Sequence, residues 1–164
     1  MDSINSVDKL DKVICESGGG VRTYYNSVKG EFSYKMDNQT IPLKLIGQNC
    51  GTAIKNIYGV KITQTDHGFI IDSQESNRDN LSNLIRDNQL NHGKDPSLSE
   101  RPEDFLITVK TIDGNILGTG KIIKIVIEAY LDALKQQRLL DLNSSDTNGL
   151  IKLGQEYPLN LSFE

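Results

Sequence analysis

Apolar and polar positions alternate with two different periods along the chain, and these periods predict both helices and strands. Apolar residues three or four positions apart predict helices at about 7–17, 76–89 and 121–138, and a short helix at 49–59 closed by a glycine. Period-two alternation predicts a hairpin over 30–47 and a second hairpin over 60–72. Further strands are expected at about 104–112, just after a turn at 113–115, and at 157–163.

The order of these elements predicts the fold class. Strands occur mostly in pairs joined by short turns, which favours antiparallel pairing, so the expected fold is α+β with an antiparallel sheet and packed helices. The polar segment 90–103 contains glycine, two prolines and mixed charges, and is predicted to be a loop or linker. We therefore expect an N-terminal part (1–75) and a C-terminal part (76–164), which either stand apart or form one continuous domain.

Composition narrows the class of protein. With 164 residues, 37% of them apolar and 6% aromatic, the chain is long enough for a lean hydrophobic core. No apolar run approaches the roughly 20 residues of a membrane span, and residues 1–13 lack the basic start and apolar stretch of a signal peptide. These features predict a soluble, cytoplasmic protein without a membrane partner. Cys15 and Cys50 belong to no CxxC pair and are expected to be small buried residues in a reducing compartment.

The charge balance bears on possible partners. The chain has 18 Lys and Arg against 22 Asp and Glu, a net charge of −4, and no long segment of it is basic. Because general nucleic-acid binding depends on neutralising phosphates with Lys and Arg, this balance argues against a strong non-specific binder. A small local basic patch remains compatible with it.

The stretch 113–134, DGNILGTGKIIKIVIEAYLDAL, contains the most distinctive pattern. It is not a Walker phosphate loop, because five residues lie between Gly114 and Gly120, where the motif has four, and Ile122 occupies the position of the magnesium-binding hydroxyl. From Lys121 onward the polar side chains form one narrow stripe, so the helix must be covered over most of its circumference. Its apolar positions, including Val126, Leu131 and Leu134, are therefore predicted to be buried, either against the sheet alone or also against a partner.

Residues 105–134 also show a strand, a turn, a Gly-x-Gly pair and a helix that begins with basic residues. This arrangement resembles the second half of a double-stranded-RNA-binding domain, with Gly118 and Gly120 at the glycine positions and Lys121 and Lys124 at basic positions of the helix. The resemblance implies an α-β-β-β-α order over about 79–138. It also implies that the corner formed by Gly118, Gly120, Lys121 and Lys124 contacts the phosphates of duplex RNA.

The sequence shows no recognisable arrangement of catalytic residues. His67 is predicted to lie in an exposed turn, no His–Cys–Asp cluster has the spacing of metal ligands, and no Gly-x-Ser-x-Gly elbow is present, so no metal, cofactor or catalytic residue is predicted. A metal-dependent nuclease site built from Lys110 and nearby carboxylates is the least favoured reading of the chain. The carboxylates it would use are Asp72, Glu75 and Asp79, which as scattered acidic residues are typical of a solvated surface.

Two functions from different classes follow from these observations. The first is a small acidic protein that acts by binding a protein partner, as inhibitors, immunity proteins and adaptors do. Its predicted contact residues are Arg22, Tyr24 and Tyr25, because arginine and tyrosine are enriched at interfaces. The alternative interpretation of the two tyrosines is that they are half-buried core residues. The alternative is a divergent double-stranded-RNA-binding module that uses the corner from Gly118 to Lys124. Neither reading fixes an oligomeric state.

Overall fold

A computed structural model of the chain describes residues 6–18, 20–26, 28–33, 35, 40–47, 58–136 and 156–164. Within these ranges it contains three α-helices: α1 (Val7–Glu16), α2 (Arg78–Leu90) and α3 (Gly120–Gln136). Eight strands form one sheet: β1 (Gly20–Asn26), β2 (Glu31–Ser33), β3 (Thr40–Ile46), β4 (Tyr58–Thr65), β5 (Gly68–Ile71), β6 (Gln74–Ser76), β7 (Phe105–Val109) and β8 (Asn160–Phe163). The predicted α+β class is confirmed.

The pairing within the sheet differs from the antiparallel arrangement that we expected. The strand order is β2-β1-β3-β8-β7-β4-β5-β6. The outer pairs are antiparallel, but β3, β8, β7 and β4 run parallel to one another in the centre. Parallel neighbours need long connections, and the helices α2 and α3 lie within two of them. Short turns therefore predicted the β4–β5 hairpin correctly and the centre of the sheet incorrectly.

The helices α2 and α3 pack against each other on one face of the sheet. The connection from β4 to β7 and the connection from β7 to β8 step in the same direction across the sheet. Since such crossovers are almost always right-handed, both helices belong on the same face. Strand β8, near the end of the chain, lies between β3 and β7, so the parts 1–75 and 76–164 contribute strands to a single sheet.

The helix α3 supplies much of the hydrophobic core. Val126 and Leu134 are buried, as predicted, together with six other residues of this helix. Leu131 is partly buried and packs against the core. It flanks the polar stripe, seven residues after Lys124 and four before Lys135, so one side of its side chain faces solvent.

The N-terminal hairpin was predicted with the wrong partner. Strand β1 lies between β2 and β3 and pairs with both, so β2 and β3 are not neighbours. Strand β3 contains Pro42 and is internal to the sheet. The amide of Lys44 donates to Leu159 at 2.9 Å on the β8 side. Pro42, two residues earlier, faces the same side but precedes the segment that pairs with β8, so its missing N–H costs no hydrogen bond there.

Several other predicted elements are confirmed. Ser6 caps α1 through its hydroxyl, and β4 and β5 form the second hairpin around residues 66–67. The helix α2, the loop that follows it, and the strands β7 and β8 all occur where expected. The short strand after the turn at 113–115 is wrong, because residues 116–119 form a 3-10 turn. Most of the predicted helix at 49–59 lies outside the described residues, and its last two residues belong to β4.

Cys15 corrects the expectation of reduced, unlinked cysteines. Its side chain is half-buried and disulfide-bonded, and the only other cysteine of the chain, Cys50, lies outside the described residues. Disulfides persist in oxidising compartments and are rare in the reducing cytosol. The expectation of a reducing compartment is therefore not supported at Cys15. This bond could not be predicted, because the positions of two isolated cysteines in the sequence carry no information about their distance in space.

Because Cys15 is disulfide-bonded, it has no free thiol that an alkylating reagent could modify. We expect iodoacetamide to label the peptide containing Cys15 in the denatured protein only after treatment with a reductant. Mass spectrometry of the digested protein measures the labelled fraction with and without reduction. Complete labelling of Cys15 in denatured, unreduced protein would show that the bond does not form.

Candidate functional site

Two cations face each other on the side of the sheet that points away from α2 and α3. Successive strand residues point to opposite faces; Leu43 and Leu45 of β3 are buried in the core, so Lys44 between them points to the outer face. Arg22 of β1 is directly opposite Lys44 in the antiparallel register. Both side chains are exposed, and neither forms an ion pair with another described residue.

A glycine gives Lys44 its position. A Cβ placed on Gly20 would lie 2.9 Å from Cε of Lys44, which shows that the lysine side chain passes over the glycine. The alkyl chain of Lys44 thus lies along β1 over Gly20. Residues with a side chain at position 20 would have to displace it.

The two predicted tyrosines lie on different faces of β1. Tyr24 is half-buried on the same outer face as Arg22, opposite Pro42. Tyr25 is only 2% exposed and packs against Phe32 with ring centroids 5.0 Å apart, and burial raises the pKa of its hydroxyl. Tyr25 is therefore part of the core and not of a contact surface. Adjacent residues of a strand point to opposite faces of the sheet, so Tyr24 and Tyr25 cannot belong to one contact surface.

The corner predicted from the glycines and lysines lies at the start of α3. Gly118 is exposed, Gly120 is the first residue of the helix, and both lysines point to solvent. Lys124 lies 4.0 Å from Glu128, which also binds Arg78 of α2 at 3.1 Å. The exposed side of the two helices is therefore a mixed-charge surface instead of a basic one. Lys121 forms no ion pair with another described residue.

The segment between α2 and α3 bears on the resemblance to double-stranded-RNA-binding domains. All residues from 78 to 136 are described, and one strand, β7, lies between the two helices. The resemblance implies three strands at this place. The remaining residues form the loop after α2, two 3-10 turns and the tight turn at 113–114.

A cavity of about 430 Å³ opens at the carboxyl ends of β4 and β7. Its walls come from the end of β4, from the segment between β7 and α3, and from the first turn of α3. The lining includes Lys110 and Gly118, two residues that the sequence had singled out for unrelated reasons. In sheets with parallel strands, ligands often bind in a crevice outside the carboxyl ends of the strands.

The carboxylates considered for a nuclease site do not gather around a common centre. Asp72 accepts a hydrogen bond from the amide of Lys61 at 2.9 Å and stabilises the turn between β5 and β6. His67 is exposed in the β4–β5 turn. In the part of the chain that the structure describes, no three His, Cys, Asp or Glu side chains are grouped so as to hold a metal ion.

Comparisons of the chain with protein-family models, with curated protein sequences and with solved structures find no match. None of the helices within the described ranges is long and apolar enough to cross a membrane.

Sequence reasoning missed Lys44 and most of the cavity. Lys44 is the one charged residue in the strand sequence TIPLKLI, and that isolation was a usable signal for an outward-facing position. The cavity had no comparable signal, because its walls come from segments about 50 residues apart in the sequence, such as Thr63 and Lys110.

Proposed function

We propose that the chain is an interaction protein that binds an acidic surface of a protein partner through the outer face of β1 and β3. The observation that carries this proposal is the opposed pair of Arg22 and Lys44. Like charges directly opposite each other destabilise a sheet, and no described acidic side chain pairs with either one. Carboxylates of a partner would offset this repulsion when the two proteins meet.

The residue types support a protein partner. Arginine binds carboxylates through a planar fork of donors, and arginine and tyrosine are over-represented among residues that dominate binding energy. Tyr24 lies on the same face, half-buried, and offers an aromatic surface that costs little further ordering. The inhibitor, immunity-protein and adaptor types remain open, since all of them act through such surfaces.

Duplex RNA fits this distribution of charge less well. Lys121 and Lys124 are on the helical layer, whereas Arg22 and Lys44 are on the outer face of the sheet, so one duplex does not reach both pairs. Two lysines release too few counterions for tight binding at physiological salt. RNA binding by the corner at the start of α3 is therefore the alternative, and a separate binding measurement with an RNA duplex tests it.

Charge reversal on the outer face tests the proposal. Wild-type protein, Arg22→Glu/Lys44→Glu, and the control Lys9→Glu/Lys12→Glu are immobilised and exposed to nuclease-treated extract of the source cells. The control changes two exposed lysines of α1 and the net charge by the same amount. We expect one protein to be retained by wild type and control but lost with the outer-face variant. With that protein purified, calorimetry should show affinity reduced about tenfold or more.

Two results would contradict the proposal. One is equal retention of the captured protein by all three forms, which would place the contact elsewhere. The other comes from fluorescence anisotropy with a 20-base-pair RNA duplex at about 0.15 M salt. Sub-micromolar binding there, lost in Lys121→Ala/Lys124→Ala but kept in Arg22→Glu/Lys44→Glu, would establish the RNA-binding alternative instead.

A further inference from the structure

The cavity at the carboxyl ends of β4 and β7 has walls that are fixed before any ligand arrives. The tight turn that follows Ile112 has positive φ angles of 52° at Asp113 and 70° at Gly114, and the amide of Asn115 donates back to Ile112 at 3.0 Å. The amide of Val7, at the start of α1, donates to Gly114 at 2.9 Å and holds this turn from the other side. A preformed cavity of this size is characteristic of small-molecule sites.

The lining combines one cation with apolar and neutral polar side chains. Lys110 is exposed and forms no ion pair with another described residue. Ile122 closes the inner end and is 2% exposed, whereas Ile112 at the rim is 82% exposed. An isoleucine held in solvent by a rigid turn gains free energy when something apolar covers it.

Some polar groups of the lining are already engaged, which limits what a ligand can meet. The hydroxyl of Thr111 donates to the carbonyl of Glu164 at 2.7 Å, and that of Thr119 donates to the carbonyl of Ile116 at 2.6 Å. The ammonium of Lys110 is the charged donor in the lining, and no ion pair with another described residue engages it. Asp113 also borders the cavity and adds a negative charge, so a ligand with two negative charges is disfavoured relative to one with a single charge.

We infer that this cavity binds a small monocarboxylate with a short apolar chain. The carboxylate pairs with Lys110. The apolar chain lies between Ile122 at the inner end and Ile112, whose side chain covers it at the rim. This site is separate from the outer face of β1 and β3, so the binding of a small molecule and the binding of a protein partner are tested independently. It adds a small-molecule ligand to a chain whose sequence shows no cofactor motif.

Three ligands with the same eight-carbon chain test the inference: octanoate, octan-1-ol and octylammonium. Each is titrated into the ¹⁵N-labelled full chain while amide chemical shifts are recorded. We expect octanoate to shift the amides at 63–64 and 110–122 in a saturable way. Its affinity should exceed that of octan-1-ol by about threefold to fivefold, as for an exposed ion pair, and octylammonium should bind weakest.

Two variants and one control locate the site. Lys110→Gln should abolish the preference for octanoate over octan-1-ol. Gly118→Leu should weaken binding of all three ligands about tenfold, because it occupies cavity space. The new side chain meets no atom within 4 Å of its Cβ and φ at this glycine is not positive, so the fold tolerates it. Asn83→Leu adds the same side chain at an exposed position of α2 and should change nothing.

The amide spectra also report whether each variant is folded, so every outcome is interpretable. The inference is overturned if octanoate produces no saturable shifts at 63–64 and 110–122. It is overturned equally if octanoate and octylammonium bind alike, or if Lys110→Gln retains the full preference for the anion.

Discussion

Leu134→Ala is expected to lower the free energy of unfolding by about 2–5 kcal/mol, the range found for leucines deleted from well-packed cores. Leu134 is 1% exposed and lies on α3, which packs against α2 on one face of the sheet. The cavity left by the deletion has rigid walls, because the parallel centre of the sheet is fixed by hydrogen bonds on both sides of each strand. Equilibrium unfolding in urea measures the loss.

Leu131→Ala is the matched control, since it removes the same atoms from the same helix. Leu131 is only partly buried and flanks the polar stripe, so part of its side chain already contacts water in the folded protein. Its deletion therefore removes less buried apolar area, and the expected loss in the free energy of unfolding is about 1 kcal/mol. The difference between the two variants reports the rotation of α3 about its axis. Equal losses, or a larger loss at Leu131, would show that this helix packs on the sheet through another face.

The helical part of the fold was predictable because its signals are local. The narrow polar stripe of α3 predicts the buried side of the helix without reference to any other segment. The hairpin between β4 and β5 is equally local, since two strands that pair through a short turn share one continuous pattern. The start of α1 is local as well, since Ser6 directly precedes the helix and its hydroxyl accepts from the amide of Lys9.

The parallel centre of the sheet was not predictable in the same way. The pairing of β3 with β8 joins Lys44 to Asn160, which are more than 100 residues apart. Nothing in the apolar pattern of β8 distinguishes this partner from any other strand. The candidate site shares the problem: the outer face is defined by the register of Arg22 against Lys44, and a register is a property of two strands together.

Asn91→Ala is expected to lower the free energy of unfolding by about 2–4 kcal/mol, since it removes three hydrogen bonds of the loop after α2, one of them buried and two part-buried. Asn91 follows α2 directly and is 5% exposed. Its side-chain amide donates to the carbonyls of Asp95 and Ser99, both at 2.9 Å, and its oxygen accepts from the amide of Asp95 at 2.7 Å. The segment predicted as a loop or linker is therefore a loop organised around one side chain.

Two comparisons separate the hydrogen bonds of Asn91 from its packing. Asn91→Asp keeps the size and one acceptor, but places a carboxylate against two carbonyl oxygens, so it should destabilise at least as much as alanine. Asn83→Ala, at an exposed position of α2, should change stability by less than about 0.5 kcal/mol. Hydrogen exchange provides a local measurement, because the Asp95 amide should lose its protection in Asn91→Ala, which has no acceptor at this position. A fully protected Asp95 amide in Asn91→Ala, with stability unchanged, would mean that other contacts order this loop.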